Sequence, residues 1–174
     1  MEQQQEQFQK RLEIGHTAED LVSKVLINAG YKVYDIGNHR LPAKHPYMSI
    51  LHNNGYLYVD KYVIGEHKFW LEVKARMLTK HYLTGRPMSV CWVYTFDMEW
   101  LVNWHIKTGI PPFIVFALYE DVVENSTFHI ISVYRAKNKG SVAGKAYIGI
   151  RDMMPLGDWL VKIKEYPNKW RAII

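Results

Sequence analysis

The sequence predicts a mixed α/β fold, a central β-sheet flanked by helices, and three observations lead to it. Apolar residues recur at helical spacing near the N-terminus and again after Thr95. Segments of strand alternation or continuous apolar character lie between and beyond those helices, and Gly-, Pro- and Asn-rich turns punctuate them. The order helix, strands, helix, strands, short helix shows no internal repeat, low-complexity tract or linker, so a single domain over residues 1–174 is expected.

Residues 5–29 are rich in helix formers, and Ala18, Leu21, Val22, Val25 and Leu26 form an apolar stripe that Gly30 terminates. Thr17, three residues before Asp20, resembles a capping box, so the helix either runs unbroken through Gly15 or restarts at Thr17. Tyr31 to Ile36 reads as a strand, and Gly37 to Gly55 as a long basic loop with two prolines. Tyr56 to Ile64 and Lys68 to Ala75 read as strands joined by the hairpin connection Gly65-Glu66-His67. Arg76 to Pro87 is polar and basic, and Val90 to Tyr94 is a strand. Thr95 to Thr108 is a helix with Asp97 and Glu99 in its first turn, where the helix dipole favours acids, and Gly109, Pro111 and Pro112 end it. Pro112 to Tyr119 reads as a strand buried on both faces, Thr127 to Tyr134 and Ala146 to Arg151 as further strands, and Pro155 to Lys164 as a closing amphipathic helix.

Composition narrows the function classes. Apolar residues make up 48% and aromatics 14%, which excludes a disordered chain. Twenty-two Lys and Arg against 17 Asp and Glu give a formal charge of +5, which favours polyanionic partners. The single cysteine, Cys91, lies in the apolar run Val90 to Val93 and reads as core; it excludes an intramolecular disulfide and a structural zinc set. The polar start Met1-Glu2-Gln3-Gln4-Gln5 is unlike a signal peptide and no stretch reaches membrane-span length, so an intracellular, cytoplasmic location is expected. The run Gly140 to Ala146 is one residue short of a P-loop and ends in Ala where the motif needs Ser or Thr.

Chemistry concentrates around Glu72. Alternation along Lys68 to Ala75 places Phe69, Leu71, Val73 and Ala75 on one face and Trp70, Glu72 and Lys74 on the other, so a carboxylate and an ammonium leave the strand side by side. Trp70 on that face is a candidate substrate contact. With residues 65–67 as the loop, Asp60 falls opposite Glu72, and like charges so paired are destabilising unless a divalent cation held by oxygen ligands neutralises them. Glu19 flanks the apolar stripe of the first helix, in the row Gly15, Glu19, Val22, Leu26, where an acid either reaches water or serves a site.

The pattern Gly15-x-x-x-Glu19, Gly30-Tyr31, Asp60 and Leu71-Glu72-Val73-Lys74 resembles the PD-(D/E)XK nuclease superfamily and, within it, the archaeal Holliday junction resolvases. The similarity covers residues 12 to 118. Val59 stands where the signature often has proline, and the segment from Gly30 to Asp60 is longer than in compact resolvases. The resemblance implies a restriction-endonuclease-like core of order α-β-β-β-α-β and a DNA endonuclease acting by metal-assisted hydrolysis, with branched DNA as its candidate substrate. Asp60, Glu72 and the Val73 carbonyl would ligate Mg²⁺ or Mn²⁺, Glu19 would complete or bridge a second metal position, and Lys74 would orient the attacking water. The same site would serve a restriction-type enzyme or an exonuclease, and the scaffold could also persist as a non-catalytic DNA-binding protein. Candidate DNA contacts are His39, Arg40 and Lys44 in the long loop, Arg76, Lys80, His81 and Arg86 beyond the catalytic strand, and later Lys137, Lys139 and Lys145. Resolvases of this type are dimeric, so a homodimer is expected, with apolar residues between Ile148 and Leu160 as its candidate interface.

Overall fold

The computed structural model describes residues 2–36, 50–52, 55–57, 59–83 and 86–167, without the side chains of residues 2, 50–57 and 79–90. The first helix, α1 (Glu2–Asn28), is unbroken through Gly15. It ends as the sequence predicts: Gly30 adopts φ 94°, open to residues without a Cβ, and the Tyr31 N–H donates back to the Leu26 carbonyl.

Six strands form the main sheet in the order β1 (Lys32–Asp35), β4 (Lys61–Ile64), β5 (Lys68–Met77), β8 (Pro112–Tyr119), β9 (Thr127–Ser132) and β12 (Met154–Pro155). Only β5 and β8 run parallel, and the chain passes between them through helix α2 (Thr95–Thr108), as a parallel pair requires. The succession α1, β1, β4, β5, α2, β8 is the α-β-β-β-α-β order expected.

Two apolar layers sandwich this sheet. On one face Ala18, Val22 and Leu26 of α1 pack with Phe69, Leu71 and Val73 of β5 and with Trp159, Leu160 and Ile163 of the closing helix α4 (Leu156–Glu165). On the other, Met98, Trp100, Leu101 and Trp104 of α2 meet Trp70, Ile114, Phe116 and Ile131. Because β8 is covered on both sides, its sequence is a continuous apolar run, whereas in β5 the charged residues Glu72, Lys74 and Arg76 break the apolar pattern at the sheet's centre.

A second sheet, β10 (Ser141–Val142), β11 (Lys145–Gly149), β7 (Arg86–Tyr94) and β6 (Thr79–Leu83), lies beyond the C-terminal end of β5, and a two-stranded ribbon pairs β2 (Ile50–His52) with β3 (Gly55–Leu57). The polar, basic stretch from Arg76 to Pro87 carried no strand prediction. It is extended because β6 and β7 pair with each other, and hydrophobicity carries little signal for such a ladder. The strand expected over Tyr56 to Ile64 is two, β3 and β4, with Asp60 immediately before the first residue of the second. The strand expected to reach Tyr134 stops at Ser132, whose hydroxyl accepts from the Arg135 N–H and starts the short helix α3 (Val133–Lys137).

Two further expectations are corrected. Ile148, Met153, Leu156, Trp159 and Leu160 are buried in the two cores, so their apolar character serves packing and does not form a dimer interface. Trp70 is buried against Trp104, ring centroids 5.3 Å apart, and its indole N–H donates to Thr108 Oγ1 at 3.0 Å; it is core and not a substrate contact. Cys91 is core as read, and burial pushes its thiol up to about 12. Among the described residues no helix is long and apolar enough to cross a membrane.

Candidate active site

The hairpin register places the first two acids. Ile64 pairs with Lys68 and Lys61 with Leu71, so the ladder continued by one residue sets Asp60 opposite Glu72, as the spacing predicted. The β4 ladder stops at Lys61, and Asp60 turns its side chain onto the edge of β5 that the ladder leaves free, where Oδ2 accepts from the Val73 N–H at 2.7 Å. In an extended strand the N–H and C=O of one residue leave on the same side. The Val73 carbonyl therefore faces the Asp60 edge, while Trp70, an odd number of residues earlier, bonds the other way, its N–H to the Pro111 carbonyl. This leaves a carboxylate and a backbone carbonyl beside the Glu72 side chain.

Asp60 is 7% and Glu72 8% exposed. Burial, then the charges of Glu72 and Glu19, raise the Asp60 carboxyl well above its usual range, against the pull of Lys74 and the Val73 N–H. Burial likewise raises Glu72; Lys74 opposes this, and Asp97 and Glu19 add to it. Lys74 Nζ reaches Glu72 Oε1 at 2.6 Å and Asp97 Oδ2 at 3.2 Å. Burial alone would lower its pKa, but Glu72, Asp97 and Asp60 outweigh it and hold Lys74 above the normal lysine range, so it is a cation and not a base at neutral pH.

Asp97 is a site residue that sequence reasoning assigned only to the helix dipole. Its position in the first turn of α2 did signal an anion at that helix terminus, but nothing local showed that the terminus abuts Lys74. Lys61 was missed altogether. It is 1% exposed, its Nζ lies 3.3 Å from Glu19 Oε2, and it donates to Asp35 Oδ1. Glu19 thus stands beside the Asp60–Glu72 pair, near enough to raise both, with one carboxylate oxygen tethered to Lys61.

Of the proposed DNA contacts, Arg76 lies on the same face of β5 as Glu72 and Lys74, its guanidinium donating to the Trp92 and Ala75 carbonyls. Lys80 and His81 are on β6 and Arg86 on β7, with side chains outside the described residues. His39, Arg40 and Lys44 lie outside the described residues. Lys139 is engaged by Asp152 at 2.6 Å. Among the described residues no three or more His, Cys, Asp or Glu side chains converge as a ready-made metal cage.

No family model matches the chain, and no curated protein sequence does. Among solved structures, Hjc, a Holliday junction resolvase from the archaeal hyperthermophile Archaeoglobus fulgidus, superposes with a TM-score of 0.52 at 12% identity, over 84% of this chain and 99% of the resolvase. D212, a nuclease from a fusselovirus, aligns over 92% of this chain and 98% of its own with a TM-score of 0.45 at 15% identity. The chain shares the fold of the archaeal resolvase, in agreement with the PD-(D/E)XK resemblance of its residues.

Proposed function

We propose that the chain is a divalent-metal-dependent endonuclease that hydrolyses phosphodiester bonds in DNA, with branched DNA as its substrate. The observation behind this reading is the convergence of Asp60, Glu72 and Lys74 on one buried edge of β5, in a fold shared with a resolvase. Two buried carboxylates, each held above its usual range first by burial and then by neighbouring acids, form a site suited to a cation, and the available donors are all oxygens. That set suits Mg²⁺ or Mn²⁺, which binds through one or two carboxylates and completes its shell with water and substrate phosphate. Asp60, Glu72 and the Val73 carbonyl would hold the ion, and the second oxygen of Glu19 would complete or bridge a further position. The ion would stabilise the negative charge that builds on the phosphodiester and acidify the attacking water.

The chain's own groups do the rest. Lys74, fixed between Glu72 and Asp97, offers a permanently charged donor that orients the water and stabilises the five-coordinate phosphorus without surrendering its proton. Arg76 and the basic residues of β6 and β7, with His39, Arg40 and Lys44, would hold flanking phosphates without reading sequence. A homodimer would present two such centres to two strands.

Labelled four-way junction, flap, linear duplex and single strand, offered in parallel with Mg²⁺, Mn²⁺ or EDTA, test the reading. Metal-dependent scission of a branched substrate is expected. Metal-binding calorimetry that finds no uptake of Mn²⁺, together with no scission, would favour a non-catalytic DNA-binding protein on the same scaffold.

Metal binding should also depend on pH with a definite sign. The folded-state pKa values of Asp60 and Glu72 are raised, so in EDTA their contribution to stability is present at acid pH and is lost as pH rises through those values. The ion needs both groups ionised, so its affinity rises over the same interval. The Tm difference between Mn²⁺-loaded and EDTA-treated protein should therefore widen from acid to neutral pH, and Asp60→Asn should flatten it. A difference that narrows with rising pH would show that these carboxylates are not the ligands.

A further inference from the structure

The second sheet carries an aromatic and basic face continuous with the candidate active site. In the β7–β11 ladder Lys145 pairs with Tyr94 and Tyr147 with Trp92, and cross-strand partners share a face. The alternate residues Cys91, Val93, Ala146 and Ile148 are buried in the core, so Trp92, Tyr94, Lys145 and Tyr147 point the other way. The turn through Ala143 and Gly144, both at positive φ, closes the hairpin that sets Lys145 there, which is the structural use of the glycine- and lysine-rich run that imitates a P-loop.

Two cations meet on one ring of this face. The Arg76 guanidinium lies 4.4 Å and the Lys145 ammonium 4.2 Å from the centre of the Trp92 ring, and Tyr94 packs edge-on to Trp92 at 5.0 Å. Among the described residues no carboxylate lies within ion-pair distance of either cation. Two like charges gathered on one ring, with Asp97 and Glu72 acting on Arg76 from beyond ion-pair distance, are complementary to an anion. Arg76 follows Glu72 and Lys74 on the same face of β5, about 7 Å beyond Lys74 at strand spacing. Beside these charges Tyr94 is 47% exposed, with the Lys145 ammonium 5.7 Å from the centre of its ring.

We propose that this face is a platform for an unpaired nucleic-acid strand: Arg76 and Lys145 hold its phosphates, and a base stacks on Tyr94 as the strand passes to the Asp60–Glu72–Lys74 centre. Charge alone would admit duplex, but an aromatic ring can take only a base whose face is free, and in a duplex both faces are covered by neighbours. The platform rests on the nuclease reading only for what becomes of the bound strand. It narrows branched DNA to branches that expose an unpaired segment, such as flaps and forks.

Fluorescence anisotropy in EDTA, where no cleavage occurs, tests it with labelled oligothymidine and a duplex of equal length. Wild-type protein binds oligothymidine; Tyr94→Ala weakens that binding about tenfold and leaves duplex affinity unchanged. Lys145→Glu weakens oligothymidine binding at least as much, whereas the charge-matched Lys162→Glu, on exposed α4 surface across the main sheet, does not. Circular dichroism confirms that each variant folds. No oligothymidine binding by the wild type, no effect of Tyr94→Ala, equal losses for single strand and duplex, or equal effects of the two lysine variants would each overturn the platform. Tyr94-dependent binding without metal-dependent scission would retain the platform and retire the nuclease reading, and scission with Tyr94-independent binding would do the reverse.

Discussion

Exchange of Lys74 for Met is expected to slow phosphodiester cleavage by about a thousandfold while leaving Mn²⁺ binding and DNA binding in place. Removing one preorganised donor from a site where charge develops typically costs a factor of a hundred to a thousand, and Lys74 is both the donor and the fixed positive charge nearest Glu72. Glu72→Gln should abolish cleavage equally but through a different step, because it removes an ion ligand and so should also lose Mn²⁺ uptake. Single-turnover cleavage of the preferred substrate, with calorimetry on each variant, separates the two. A Lys74→Met enzyme retaining a tenth of wild-type activity would remove Lys74 from the chemistry. A Glu72→Gln protein that still takes up Mn²⁺ normally would remove Glu72 from the ion's shell.

The second large effect is on stability. Lys61 is almost fully buried and pairs with Glu19, itself largely buried, and with Asp35, which is 56% exposed. Deleting one partner of a buried ion pair strands the other, at about 3–5 kcal/mol in typical cases. Water around Asp35 recovers part of this, so Lys61→Met, close in volume, should cost about 3 kcal/mol in urea unfolding measured in EDTA. Most of the loss should come from Glu19, left uncompensated beside Asp60 and Glu72. Glu19→Gln added to Lys61→Met should then restore stability, whereas Glu19→Gln in the wild type should not. A double variant less stable than Lys61→Met alone would show that Lys61 acts through packing and not through Glu19.

Much of this protein is legible without coordinates because its signals are local. The strand period of two put Glu72 and Lys74 on one face, the hairpin register put Asp60 opposite Glu72, and Gly109 ended α2 in the left-handed conformation that its glycine allows. Local physics also misleads where pairing decides. The basic stretch from Arg76 to Pro87 gave no strand signal because its extended form depends on β6 and β7 finding each other, and the apolar residues between Ile148 and Leu160 looked exposed because their partners are distant in sequence.

The amino-acid sequence by itself determined which residues could form the reactive set, since periodicity and register depend on neighbours a few positions away. Only the tertiary structure decided what surrounds that set: that Asp97 at the start of α2 clamps Lys74, that Lys61 turns into the core to neutralise Glu19, and that Trp92 gathers Arg76 and Lys145 into one basic cluster. A charge's effect is set by burial and by partners within a few ångströms. Those partners come from elements separated in sequence by tens of residues, so they are fixed by how the helices and the second sheet pack onto β5.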